Sequence, residues 1–228
     1  MSQGQQNLNY AISPSSKVSQ IFAGDYAACD EGSFFTASLA GTATTTSITT
    51  KALGDAAPVL VIQNQQPAGG YNIYLRHLKA VITSVPTSAS VWNYSSILDP
   101  ISTKLTTAGT VMTAVNANAA SGVLSKSYIN GGAPVTLVGS AQSRQVGQGQ
   151  ISGAIPVAFD EYYFTFGQPG GSIDSIGTQT LVKRLSVPHA PVIIAPGWFF
   201  TLAMWGTSNG AAPSIALELG FVERPAGQ

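Results

Sequence analysis

Runs of β-branched and aromatic residues recur about every 10–20 residues along this chain, with Gly and Pro between them, and that spacing admits few folds. The 228 residues include 24 Gly and 13 Pro. No stretch carries a convincing amphipathic helix of more than about three turns. Such punctuation argues a β-sandwich or barrel rather than alternating βαβ units. The expected fold is all-β: an antiparallel β-sandwich of jelly-roll type, with roughly eight to ten strands and one or two long loops. No fixed-period repeat is present, so propellers and solenoids fall away.

Individual strands are expected as follows. GSFFTASLA (32–40) is a first strand, and TATTTSITTK (42–51) is an edge strand or exposed ribbon. APVLVIQ (57–63) is a core strand, closed by a QQPAGG turn (65–70). YNIYLRHLKAVITSV (71–85) has no cleanly polar face, which fits a bulged strand crossing two environments. SVWNYSSIL (90–98) is its returning, hairpin-like partner, and Asp99-Pro100 is a turn. TTAGTVMTAVNANAASG (106–122) is small and weakly apolar, a long loop or insertion with room for a short helix. GGAPVTLVGS (131–140) restarts the sheet pattern, AIPVAFDEYYFTFG (154–167) is central, and LVKRLSV (181–187) ends at Pro188. APVIIAPGWFFTLAMWG (190–206) carries no charge and approaches a membrane span in length. Its Pro191, Pro196 and Gly197 favour a short strand, a Pro-Gly turn and a second buried strand instead. SIALELGFV (214–222) closes the sheet. The expected organisation is an extended arm over residues 1–30, the jelly-roll domain over 31–224, and a tail over 225–228.

Charge is the second constraint. Only 9% of residues are charged, against about 25% in an ordinary domain. Hydrophobic content is 44% and net charge is zero, so a core can form and disorder is not implied. The ten basic residues are scattered, with Lys183-Arg184 the only adjacent pair; direct nucleic-acid binding is not expected. Cys29 is the only cysteine, expected as a small buried apolar residue. The N-terminal twenty residues lack a basic region followed by an apolar run, so no secretory signal is read there. A surface of hydroxyls, amides and backbone suits packing against other subunits better than it suits a catalytic cleft.

Candidate chemistry is sparse. His77 and His189 have no neighbouring ligands at zinc spacing. Asp160-Glu161 is the only adjacent carboxylate pair in a strand, and adjacent strand residues face opposite ways. A second carboxylate for a glycosidase-like groove would have to come from Asp30-Glu31, Asp174, Glu218 or Glu223. Gly147, Gly149 and Gly153 form G-x-G-x-x-x-G, which departs from the dinucleotide fingerprint and fits a loop or glycine-kinked strand. No G-x-S-x-G elbow or P-loop occurs. Trp92, Tyr94, Tyr162, Tyr163, Phe164, Phe166, Trp198, Phe199, Phe200 and Trp205 are expected mainly in the core, with part of the set exposed for a contact. No catalytic residue, cofactor or metal ligand is assigned.

The closing P-x-V-I-I-x-P-G-W-F-F-T-L-A-M-W-G and S-I-A-L-E-L-G-F-V-E-R-P, with the Tyr71–Leu98 pair, resemble jelly-roll structural proteins of virions. The likeness is strongest to auxiliary head proteins of tailed bacteriophages, covers about residues 30–224, and rests on pattern and composition. It implies a decoration or cement subunit, made in the host cytoplasm and located in the virion. It also implies a homo-oligomer, with a trimer favoured, that contacts the major capsid protein or other virion proteins and no membrane. Residues 1–20 contain only Lys17 as a basic side chain, which favours an outer position over a genome-lining coat. A self-assembling coat, a carbohydrate- or receptor-binding module of a fibre or spike, and a polysaccharide-acting enzyme remain alternatives.

Overall fold

A computed structural model describes residues 9–12, 19–22, 24–39, 46–47, 58–85, 92–101, 105–137, 144–152, 156–167, 184–206 and 214–226. Asp174, Lys183, Gly153 and most of the 42–51 run lie outside these. In chain order the elements begin with β1 (Asn9–Ile12), β2 (Ser19–Phe22), α1 (Gly24–Asp30), β3 (Phe34–Ser38) and β4 (Thr46–Ser47). Next come β5 (Leu60–Gln63), β6 (Tyr71–Ser84), β7 (Trp92–Pro100), β8 (Leu105–Met112), β9 (Ala114–Asn116) and β10 (Tyr128–Leu137). The chain closes with β11 (Gln145–Ser152), β12 (Glu161–Phe166), β13 (Arg184–His189), β14 (Ile193–Ile194), β15 (Trp198–Gly206) and β16 (Ser214–Pro225). The fold is all-β, as expected, but the described residues hold sixteen strands rather than eight to ten. Residues 24–30 are helical where an extended arm was expected.

Two sheets stack on one core. The six-stranded sheet runs β11-β7-β15-β5-β10-β8, and the larger one runs β13-β12-β6-β16-β3-β9, with β14 on β6 and β4 on β16. β1 and β2 form a separate pair. Eight strands pair in a nested pattern: β3 with β16, β5 with β15, β6 with β12, and β7 with β11, all antiparallel. The first pairs with the last, the second with the seventh, and so inward. β16 then pairs β6, and β15 pairs β7, which joins the nested pairs side by side within each sheet. The other eight strands are additions to this body, which accounts for the higher count.

The core lies between the sheets. Tyr94 meets Phe164 edge-on at 5.1 Å, and Phe166 meets Phe200 at 5.8 Å, each contact crossing from one sheet to the other. Trp92, Tyr162, Phe164, Phe199 and Phe200 are almost wholly buried, each worth about 1.5–3 kcal/mol in transfer terms. β5 is buried along its whole length because Leu60 and Ile62 face this core while Val61 packs with Phe199 and Ile101 in a second, smaller one.

β6 contains the expected bulge. Ile73 and Leu75 are buried at odd positions, then Leu78, Ala80 and Ile82 at even ones. The register with β16 slips where Gly220 faces His77 and Phe221 faces Leu75, leaving Arg76 as the extra residue. The slip lets one strand keep apolar residues inward on both sides of it.

Four local expectations are corrected. β6 and β7 are not a hairpin: they belong to opposite sheets, and residues 85–91 between them exceed the usual hairpin loop. Asp99-Pro100 is not a turn but the end of β7, with Asp99 opposite Phe199 and Pro100 opposite Trp198; a strand end tolerates the missing N–H. The 106–122 loop contains β8 and β9, whose low apolar content reflects their edge positions. Pro188 does not end its strand: β13 continues to His189 on the sheet edge, and it runs parallel to β12. The intervening residues 167–183 supply the crossover length that parallel pairing needs.

Candidate interaction surface

Among the described residues one cluster of charged side chains lies on the eight-stranded sheet. Lys79 on β6 lies 3.8 Å from Glu161 on β12 and 3.5 Å from Glu218 on β16, and His77 Nε2 lies 4.0 Å from Glu218. Burial works against the Lys79 ammonium, but Glu218, Tyr163 and Glu161 outweigh it and raise its pKa. The structure thus brings Glu161 and Glu218 onto one ammonium that offsets both. Asp160 is elsewhere: it is buried, and its Oδ2 accepts a 2.9 Å bond from the Val157 N–H across a turn. That turn places Phe159 at φ 71°, the one described non-glycine residue in the left-handed region, with its ring exposed. Asp30 ends α1, and Glu31 pairs Arg224 at 3.2 Å. Surface pairs of this kind contribute about 0–1 kcal/mol each.

His189 is an interior group that links the sheets. Its Nδ1–H donates to Ala190 O at 2.9 Å, which leaves Nε2 to accept from the Ser96 hydroxyl at 2.5 Å. Ser96 is on β7 and His189 on β13, so the bond spans the sandwich beside Gly147. A Cβ at Gly147 would run into the imidazole and Ser96 Oγ, and one at Gly149 would crowd Tyr94. The glycine spacing therefore serves packing. Burial lowers the pKa of both His189 and His77, with the Ala190 carbonyl and Glu218 respectively opposing it. A histidine depressed in the folded state binds fewer protons there than when unfolded. Its stabilising effect is complete above the unfolded value of about 6.5 and is lost as pH falls below it. Urea unfolding at pH 7.5 and 5.5 should show a loss of up to about 1 kcal/mol attributable to His189. H189Q should flatten that dependence.

The third feature is the insertion between β7 and β11, comprising β8, β9, a 117–127 loop and β10. The loop is tied down throughout. Asn116 Nδ2 donates to Gly32 O and Val123 O at 2.9 and 3.1 Å. Asn116 Oδ1 accepts from the Asn118 N–H, and Asn118 Oδ1 from the Ala120 N–H. The buried carboxylate of Glu223 accepts from Ser125 Oγ at 2.7 Å, Lys126 N at 3.0 Å and Ser127 Oγ at 2.5 Å. Lys126 Nζ sits 3.8 Å above the Tyr71 ring. On this ordered scaffold Val111, Val115, Val123, Leu124 and Tyr128 are exposed, Leu124 by 82%. Contiguous exposed apolar surface marks contact sites, and these five side chains make the insertion the candidate for one. Sequence reasoning missed them; the signal was the Val-Leu pair inside an otherwise small, polar run.

Cys29 is half-buried on α1, and burial followed by Asp25 raises its thiol pKa. Among the described residues no three His, Cys, Asp or Glu side chains are placed to hold a metal, and no helix is long and apolar enough to cross a membrane. Compared with known proteins, the chain matches no family, no curated protein and no solved structure.

Proposed function

We propose that this chain is a structural subunit of a virion: a jelly roll that decorates or cements the shell as a homo-oligomer, through uncharged contacts with its own copies and with the major capsid protein. The observation that supports the reading is the nested pairing of eight strands across two sheets, an arrangement in keeping with a jelly roll. That topology hosts several functions, so the surface decides between them. Support comes from the 9% charge content and from the ordered insertion with five exposed apolar side chains, a composition suited to subunit contacts. The reading assigns the chain no catalytic residue and no cofactor. For a sugar- or receptor-binding module, exposed aromatics would have to gather in one platform. Among the described residues the exposed aromatics Tyr26, Tyr128 and Phe159 belong to three separate elements, α1, β10 and the 157–160 turn. The direct test is whether the chain is a stoichiometric component of purified particles.

A further inference from the structure

Along one side of the sandwich the two sheets meet at a seam, where β11 ends the six-stranded sheet and β13 ends the larger one. Both strands are lightly held. In β13, Leu185, Ser186 and Val187 are half-buried and Pro188 is exposed; of residues 185–189 only His189 is buried. In β11 the residues from Gln145 to Gln150 are half-buried or exposed. Segments with so little buried apolar contact open locally while the rest of a domain stays folded. His189 closes this seam. Its Nε2 accepts from Ser96 Oγ of β7 at 2.5 Å, and its ring occupies the space that a Cβ would need at Gly147 of β11. The Tyr94, Phe166 and Phe200 rings lie around it at centroid distances of 6.5, 4.7 and 6.3 Å.

We propose that His189 is an acid-sensitive latch: protonation of its imidazole opens the seam between β11 and β13 while the rest of the sandwich stays folded. Nδ1–H is committed to Ala190 O, so Nε2 must be bare to accept from Ser96. A proton on Nε2 turns that acceptor into a donor and sends the Ser96 hydroxyl to Gly147 O, 3.3 Å away. It also places a cation where no described group offsets it. β11 and β15 carry no charged residue. On β12 the charged residue is Glu161, which pairs Lys79. On β7 it is Asp99, opposite Phe199 and on the face of the strand away from Ser96. On β13 it is Arg184, at the far end from His189. Of the tyrosines, Tyr94 faces the ring and stays neutral because burial raises its pKa; Tyr162 sits at the other end of β12, opposite Leu185. An unpaired interior charge is relieved by admitting water, and the lightly held seam is where water can enter. Burial accordingly lowers the pKa of His189 in the closed form. Opening restores it toward the ordinary value of about 6.5, so opening takes up a proton and is favoured as pH falls below that value. This property belongs to the fold and is independent of the role proposed above.

The test is amide hydrogen exchange of the full chain at pH 7.5 and 5.5, corrected for the intrinsic rate at each pH. Wild-type protection over 145–149 and 185–189 should fall by up to about tenfold at pH 5.5, while residues 78–82 of β6 and 215–222 of β16 keep theirs. H189Q removes the titrating ring and should abolish the fall. H77Q removes the other histidine, which lies beside Glu218, and should leave the fall intact. By NMR the His189 imidazole should titrate below about 6.5. Seam protection that is unchanged between the two pH values overturns the latch. So does an equal loss in every strand, a fall that persists in H189Q, or an imidazole that titrates at or above the ordinary value. Wild-type exchange and the imidazole titration decide the matter even if H189Q does not fold.

Discussion

Replacing Glu223 with Ala should lower the unfolding free energy by about 3 kcal/mol and free the 121–127 loop. The carboxylate is 5% exposed and takes the hydroxyls of Ser125 and Ser127 together with the Lys126 N–H. Ala leaves those donors without an acceptor, and partial entry of water limits the cost. E223Q keeps one carbonyl oxygen but turns an N–H₂ toward groups that also donate, so it should fall between wild type and Ala. Urea unfolding gives the energy, and exchange of the Lys126 amide locates it. That amide should lose protection while the paired residues of β6 and β16 keep theirs. A change below about 1 kcal/mol would show that the loop is held by other contacts.

The larger effect is expected from N64D, a nearly isosteric change. Asn64 is 1% exposed and follows β5. Its Nδ2 donates to Tyr71 O at 2.6 Å and Ile194 O at 2.9 Å, while its Oδ1 accepts from the Gln66 N–H at 3.3 Å. Its backbone also bonds Trp198 O and the Gly197 N–H. The side chain therefore joins the end of β5 to the start of β6 and to β14, while the backbone of the same residue holds the turn before β15. Asp would turn acceptor oxygens toward two carbonyls in a dry site, costing about 4 kcal/mol. N64A, which leaves two carbonyls unpaired without adding charge, should cost about 2 kcal/mol. Thermal or urea unfolding of the pair checks the order; Asp as mild as Ala would mean the site is open to water.

Particular residues show which parts of this fold were legible in the sequence. The shift of buried positions between Leu75 and Leu78 is visible as a strand with no clean face, because a bulge moves the period-two pattern by one residue. The Pro196-Gly197 corner is equally plain, with Gly197 at φ 79°. What stayed hidden depends on long-range pairing. Nothing local in β6 says that its neighbours are β12 and β16 rather than β7. β8 was hidden because an edge strand has little need of apolar residues, so its small and polar sequence resembles a loop. The candidate surface was hidden for a related reason. Val123 and Leu124 form a defined surface only because Glu223, nearly a hundred residues further on, anchors the neighbouring Ser-Lys-Ser segment. Gly147 and Gly149 were recognisable as a glycine-spaced strand, but their cause, the close approach of His189 and Tyr94, lies in other strands.

The measurement that bears most directly on the proposed role is quantitative mass spectrometry of particles purified through a density gradient from a culture that carries this chain. A decoration or cement subunit should give peptides from the whole chain in the particle fraction, at a fixed high copy number relative to the major capsid protein. Absence of the chain from particles, with the protein recovered only among free components, would contradict that role.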